Sequence, residues 1–376
     1  MLINVMNKAH FDICVGPWTF RPYEEIIINV GPMDFDFKLI RGNPNLRVGK
    51  LNNAQYIKKH KLYLGNKFNF AYDDNDVNIG FAYKYAIEAL ADPIIKYLPK
   101  GETAYYSRPV PGKGGKGLNC RFFSSLRINQ QGKTPVGPRD VFISHGIGDK
   151  NYWIGPHIQD YKYAFCPGPA WENRMKKTGY KGEIFQVGYT KLDPLFNGEY
   201  VKNSTDKLVV AWLPTHGYNN KHRGRSSFPM FSRFVNQISK DYQFVDGMHP
   251  TTKLHNKEKN YPTMQLLIDA DVVIADAGST VYEAWALGKP VIFPDWICKD
   301  DVLGHFKTDK NNLEYIIYDK VIGYHANNMK ELNKMIEIAA SDGMQQQEIE
   351  LMESIFPNKL RGKSGETAAK ALNELY

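Results

Sequence analysis

Two short segments carry residue types suited to group transfer. The first is Asp140-Val-Phe-Ile-Ser144-His145-Gly146-Ile-Gly148-Asp149. Its β-branched run empties into His145, which sets an imidazole at the carboxyl end of a strand, where it can take a proton from a hydroxyl near neutral pH. Gly146 and Gly148 leave room for a substrate against the backbone, and Asp149 is near enough in sequence to orient or charge the ring. A histidine that only caps the strand is the plainer alternative. The second segment is Asp271-Val-Val-Ile-Ala-Asp276-Ala-Gly278-Ser279-Thr280-Val-Tyr-Glu283, running on to Gly288-Lys-Pro290-Val-Ile-Phe293. It reads as strand, small-residue turn, helix and second strand. Gly278, Ser279 and Thr280 fall at the helix N-terminus, where free N–H groups, two hydroxyls and the positive end of the dipole attract an anion. Glu283, one turn into the helix, is within reach of a ribose hydroxyl if that anion belongs to a nucleotide. An ordinary βαβ unit with Ser279 as N-cap is the alternative here.

Three further clusters are cationic. The strand Leu208 to Leu213 ends in Pro214-Thr215-His216-Gly217, followed by Arg223, Arg225, Ser226 and Ser227, a set able to grip phosphates. His249, in Gly247-Met-His249-Pro250, would donate to a leaving diphosphate when protonated. From Thr103 to Arg139 there is no acidic residue, while Arg108, Lys113, Lys116, Arg121 and Arg127 stand among Tyr105, Tyr106, Phe122 and Phe123. That stretch is a candidate polyanion-binding surface, with aromatic rings available to stack on bases. Its glycine-rich core lacks the Gly-Lys-Ser/Thr ending of a nucleotide P-loop. No metal constellation emerges, because Asp269 and Asp271 flank a helix–strand junction and Asp300 and Asp301 are adjacent. Metal independence and no cofactor are expected, with the helix dipole, hydroxyls and cations neutralising the diphosphate.

The elements that must hold these residues are those of an α/β protein. The chain has 376 residues, 43% hydrophobic and 23% charged, with net charge +8, which suits two soluble domains. No apolar run reaches membrane-span length and the start lacks signal-peptide character, so a cytoplasmic protein without an integral membrane segment is expected. Cys14, Cys120, Cys166 and Cys298 lie far apart and suggest neither disulfides nor zinc. In the first half, Glu25–Val30, Phe35–Ile40 and Asp140–Ser144 read as strands and Ile79–Leu98 as a long helix. Strands at 183–187, 207–213, 243–246, 271–275 and 290–293 then alternate with helical segments, among them 232–239, which predicts a parallel sheet covered on both faces. The breaker Pro167-Gly-Pro-Ala-Trp171 suggests a first domain of residues 1–168 and a second of 169–340, with helices 341–376 packing back on the first.

Taken in order, Ser144-His145-Gly146, Gly188-Tyr-Thr-Lys-Leu-Asp193, Leu213-Pro-Thr215 with Ser226-Ser227, His249-Pro250 and Ala275-Asp276-Ala-Gly278-Ser279-Thr280 resemble the CDP-glycerol glycerophosphotransferase family. The resemblance covers roughly residues 140 to 300. It implies the GT-B glycosyltransferase fold, two Rossmann-like domains whose parallel sheets face a cleft. It also implies His145 as base and Gly146, Thr215, His249, Asp276, Gly278, Ser279 and Thr280 around the donor. The family's usual Asp-Tyr-Ser-Ser is replaced here by Asp276-Ala-Gly-Ser-Thr, and Gly-Ser-Thr-x-x-x-Glu with Gly-Lys-Pro is similar to the donor sites of nucleotide-sugar glycosyltransferases, where the glutamate, here Glu283, binds ribose. The expectation is therefore an inverting, metal-independent transferase moving a sugar from a UDP- or CDP-linked donor to an anionic polymer. Hydroxymethylated DNA of the phage-modification type is the favoured acceptor. CDP-glycerol glycerophosphotransfer to a teichoic acid-type polymer is the alternative, and a non-catalytic nucleotide- or DNA-binding protein is the second.

Overall fold

A computed structural model describes residues 2–7, 13–15, 18–20, 25–29, 46–50, 78–82, 88–99, 103–106, 116–122, 136–149, 154–215, 225–248 and 263–376. At the N-terminus, β1 (Leu2–Asn7), β2 (Ile13–Val15), β3 (Trp18–Phe20), β4 (Glu25–Asn29) and β5 (Leu46–Lys50) form an antiparallel sheet, β4-β1-β5, and a β2–β3 pair. The expected strand Phe35–Ile40 lies outside the described residues.

The first parallel sheet contains β6 (Ile79–Ala82), β7 (Thr103–Tyr106), β8 (Leu118–Phe122), β9 (Asp140–Ile143), β10 (Tyr163–Cys166) and β11 (Glu183–Gln186), in the order β11-β10-β9-β8-β6-β7. Two helices belong to it, α1 (Glu88–Ile95) and α2 (Pro169–Lys177). The long helix expected over Ile79–Leu98 is thus a strand followed by a short helix. Ile79-Gly-Phe-Ala is too short a run for periodicity to separate strand from helix, and pairing with β7 and β8 on both sides decides it. β10 pairs with β9 on one side and with β11 on the other. The first sheet therefore continues past residue 168, through Gln186.

A crossing segment, α3 (Asp193–Phe196) included, leads to the second parallel sheet. Its strands are β12 (Val209–Trp212), β13 (Gln243–Asp246), β14 (Val272–Ile274), β15 (Val291–Pro294) and β16 (Tyr324–Ala326), in the order β13-β12-β14-β15-β16. Strands β12, β14 and β15 are buried along their whole length, which is why they read as unbroken apolar runs instead of alternating ones. The helices are α4 (Thr263–Asp269), α5 (Ser279–Ala286), α6 (Asp295–Phe306), α7 (Leu313–Asp319), α8 (Met329–Asp342), α9 (Gln346–Ile355) and α10 (Ser364–Leu375). The helix expected around Ser232–Ser239 is a pair of short 3-10 turns, Met230–Arg233 and Val235–Gln237.

One apolar core runs from the first sheet through α5, α6 and α7 to α9 and α10. The far face of the second sheet is closed by α8 around Leu332 and Ile336. Helix α10 lies on α1 so closely that a Cβ on Gly365 would sit 2.2 Å from the Pro93 carbonyl. The N-terminus of α10 is capped from the crossing segment, because the Ser364 and Gly365 N–H groups donate to the Asp193 carboxylate at 3.2 and 2.6 Å. Among the described residues no helix is long and apolar enough to cross a membrane.

Candidate active site

The loop after β9 and the start of α5 meet across the domain contact. Ser144 Oγ donates to the Gly146 carbonyl at 2.8 Å and folds the loop, and the Gly148 N–H donates to Ser279 Oγ at 3.3 Å. His145, half-buried, lies between these two anchors. The room that Gly146 and Gly148 provide is taken by α5 itself. A Cβ on Gly146 would stand 2.5 Å from Ser279 Oγ, and one on Gly148 would stand 2.9 Å from the Gly278 carbonyl carbon and the Ser279 nitrogen. Gly148→Ala therefore pushes the loop off the helix, and a displacement of about 1 Å costs roughly 100-fold in turnover. Steady-state kinetics with an unchanged circular dichroism spectrum is the check, and a full rate would mean that this contact does not set the geometry.

Asp149 is engaged by α2 and by the start of α7. It is fully buried, and its carboxylate is ion-paired with Arg174 Nε at 3.0 Å and accepts hydrogen bonds from Arg174 Nη2 at 3.3 Å and the Leu313 N–H at 2.9 Å. The remaining Arg174 donors reach Asp309 Oδ2 at 2.7 Å and the Asn311 carbonyl at 2.6 Å. Asn312 Nδ2 adds a bond to the Asp149 carbonyl at 2.9 Å. This bolts the His-Gly loop and α2 of the first domain to the segment that opens α7 in the second.

Gly278, with φ of 90°, occupies the left-handed region that glycine tolerates and starts α5. Its N–H donates to Glu314 Oε1 at 3.0 Å. Ser279 and Thr280 are half-exposed, and Thr280 Oγ1 donates to the Leu213 carbonyl at 3.2 Å. The N-terminal turn of α5 is thus in contact with the loop that carries His145.

Several expected ligands serve the scaffold instead. Asp276 is fully buried and accepts from the Thr215 N–H at 2.8 Å, the Ser227 N–H at 2.5 Å, Ser227 Oγ at 2.7 Å and the Ala277 N–H at 2.7 Å. Burial pushes this carboxyl up against those four donors, which pull it down. Ser226 Oγ donates to the Thr215 carbonyl at 2.7 Å, and Trp212 Nε1 donates to Ser227 Oγ at 2.9 Å. The Asp276, Ser226 and Ser227 side chains and the Thr215 backbone hold the loops after β12 and β14 together. Arg225 is half-buried beside them. Arg223 and His249 lie outside the described residues.

Glu283 is completely buried. Its Oε1 accepts from Tyr189 OH at 3.0 Å and Lys191 Nζ at 2.7 Å. No hydrogen-bond partner meets Oε2 among the described residues. Burial, then the Glu283 charge, push the Tyr189 phenol well above its usual value. Tyr189 and Lys191 come from Gly188-Tyr-Thr-Lys-Leu-Asp193, a segment visible in sequence whose individual roles were not. It is pinned by Thr190 Oγ1, which donates to the Leu90 carbonyl at 2.6 Å. Ser144, Gly188 and Tyr189 also line an apolar pocket with Leu90, Ile94 and Phe165 at the carboxyl ends of β9 to β11.

The basic stretch is divided. Arg121 is buried on β8 and ion-paired with Asp140 at 2.6 Å, so it is unavailable to a polyanion. Lys116 is exposed, whereas Arg108, Lys113 and Arg127 lie outside the described residues. Among the described residues no group of acidic, histidine or cysteine side chains is placed to hold a metal ion. Cys120, Cys166 and Cys298 are buried and unpaired by disulfides.

No family model matches the chain. A teichoic acid poly(ribitol-phosphate) polymerase of Bacillus spizizenii is 25% identical over 178 residues, 43% of this chain and 27% of that protein. The chain thus spans about a quarter of the length of that relative. The structure of the wall teichoic acid polymerase TagF superposes with a TM-score of 0.53 at 14% identity, covering 85% of this chain and 93% of the other. Its H444N variant gives 0.53 at 15% identity. The chain has the GT-B fold, two parallel-sheet α/β domains, and its resemblance to the CDP-glycerol glycerophosphotransferases extends from short motifs to overall shape.

Proposed function

We propose that this chain is a transferase that moves an alditol phosphate, such as glycerol phosphate, from a CDP-linked donor to a hydroxyl of a teichoic acid-type polymer. The observation that carries the reading is the contact of Gly148 with Ser279, which brings His145 and the α5 N-terminus to one point between the domains. Any donor diphosphate held at α5 has its outer phosphate facing the histidine loop. His145 takes the proton of the acceptor hydroxyl, and the oxygen attacks the outer phosphorus. The bridging P–O bond breaks and CMP leaves. The N–H groups of the first α5 turn and the Ser279 and Thr280 hydroxyls stabilise the charge that builds up.

A polymerase of ribitol phosphate among the relatives supports a phosphate-containing transferred group. Neither likeness speaks for a sugar donor or a DNA acceptor, and burial of Arg121 removes one cation from the surface on which a DNA acceptor rested. Sugar transfer is retained as the second reading on one observation, the unpartnered Oε2 of Glu283, which fits a ribose or sugar hydroxyl. The leaving group separates them. Transfer of an alditol phosphate releases a nucleoside monophosphate, whereas sugar transfer cleaves a C–O bond and releases the diphosphate. Incubation with CDP-glycerol or UDP-glucose, a polyglycerol phosphate or hydroxymethylated DNA acceptor, and chromatography of the nucleotide is the test. CMP with polymer extension is expected. UDP or CDP released with DNA overturns the reading, and no turnover of either donor leaves a nucleotide-binding protein.

A further inference from the structure

We propose that Lys191 is a diphosphate-binding residue of the donor site, kept in place by Glu283. The inference rests on the donor reading above and adds the cation that reading lacks. Ser279, Thr280 and Glu283 are spaced three and four residues apart on α5, so they share one helix face. Glu283 Oε1 holds Lys191 Nζ at 2.7 Å, which sets the ammonium about one helical turn, roughly 5 Å, along the axis from the two hydroxyls. The lysine side chain is 23% exposed while the carboxylate it pairs with is fully buried. Lys191 is therefore the partly exposed member of the pair.

The charges around α5 call for such a group. Asp276, Glu283 and Glu314 are buried around its start, and Glu314 already takes the Gly278 N–H. The helix terminus supplies about half an elementary charge, too little to offset a diphosphate in the presence of these carboxylates. A lysine on a four-carbon stem can turn from a carboxylate to a phosphate oxygen without moving its backbone, which the Thr190 bond to Leu90 fixes. Glu283 tolerates the exchange. Tyr189 OH remains on Oε1, so the carboxylate keeps a hydrogen bond when the ammonium turns away.

Calorimetry of the full chain with CDP and CMP, and with UDP and UMP in parallel, tests this because only the outer phosphate differs within each pair. The wild type is expected to prefer the diphosphate. Lys191→Met should lose about tenfold of that preference, the value of one charge-assisted hydrogen bond, while affinity for the monophosphate stays within about twofold. Lys191→Arg should keep the preference. Should Lys191→Met fold poorly with Glu283 left unpaired, Lys191→Met combined with Glu283→Gln removes both charges and should show the same collapse. Glu283→Gln alone should keep or raise the preference, since it releases the ammonium. A diphosphate preference unchanged in both lysine-to-methionine variants overturns the assignment while leaving the donor reading intact. A wild type that binds none of the four nucleotides overturns the donor reading and the assignment together.

Discussion

His145→Ala is expected to lower turnover by about 1,000-fold, within the range for losing a positioned general base, while leaving nucleotide affinity and the unfolding midpoint unchanged. The other groups near the α5 N-terminus that could accept a proton are engaged. Asp149 is fully buried and held by Arg174 and the Leu313 N–H. Glu283 is buried and paired with Lys191. The Tyr189 phenol is pushed up by burial and by Glu283, so it stays protonated. Glu314 is buried and accepts the Gly278 N–H. Among the described residues around the α5 N-terminus, His145 is the half-buried group whose side-chain chemistry suits proton transfer near neutral pH. His145→Gln keeps a polar side chain and should be as slow as alanine. In both variants the loss of rate toward low pH, where an imidazole is protonated, should disappear. A variant with wild-type turnover, or one whose loss appears only in nucleotide affinity, would remove His145 from the chemistry.

The parts of this site that were legible in sequence are those built by neighbours in the chain. Ser144-His145-Gly146 follows a buried strand directly, and Gly278-Ser279-Thr280 opens a helix between two strands, so local pattern places both at strand ends. What the pattern omits is direction. Asp276 and Glu283 belong to the same segment, yet the donors that turn Asp276 inward, Thr215 and Ser227, lie 61 and 49 residues away, and Lys191 lies 92 residues from Glu283. A carboxylate after a strand looks the same in sequence whether it faces a ligand or a neighbouring loop.

Arg121 shows the same limit from the other side. The window from Thr103 to Arg139 contains no acid, which makes it look like an open cationic surface. Its counter-ion, Asp140, is the next residue past the window. Strand pairing aligns Asn119 with Asp140 and Cys120 with Val141, and so brings Arg121 beside that carboxylate. Parallel pairing sets residues far apart in sequence side by side, and a charge count along the chain cannot register it. The extension of the first sheet past residue 168 has the same origin, because β10 and β11 join it through register and not through composition.

Arg174→Met is expected to cost about 3–5 kcal/mol of stability, the range for removing one partner of a buried ion pair, and to slow turnover with it. The Arg174 side chain is 9% exposed and that of Asp149 is 0% exposed. Without the guanidinium, Asp149 keeps the Leu313 N–H and loses its counter-charge and the Nη2 hydrogen bond, so its carboxylate is left buried with too little compensation. Methionine preserves most of the volume, which confines the change to charge and hydrogen bonding. Because Arg174 also holds Asp309 and the Asn311 carbonyl, its loss leaves the Leu313 and Asn312 bonds to Asp149 to carry that tie to the second domain and lets the Gly148 contact with Ser279 loosen. Adding Asp149→Asn to Arg174→Met neutralises the stranded charge and should recover about 1–3 kcal/mol, the coupling expected of groups in direct contact. It should not restore turnover, since the Arg174 bonds to Asp309 and Asn311 stay cut. Urea unfolding of both single variants and the double variant gives the coupling, and product formation measured on the same samples separates stability from alignment. A loss below about 1 kcal/mol, the level of an exposed pair, with turnover intact would mean that the loop is held in place by the apolar core, Ser279 and the Leu313 and Asn312 bonds to Asp149 without Arg174.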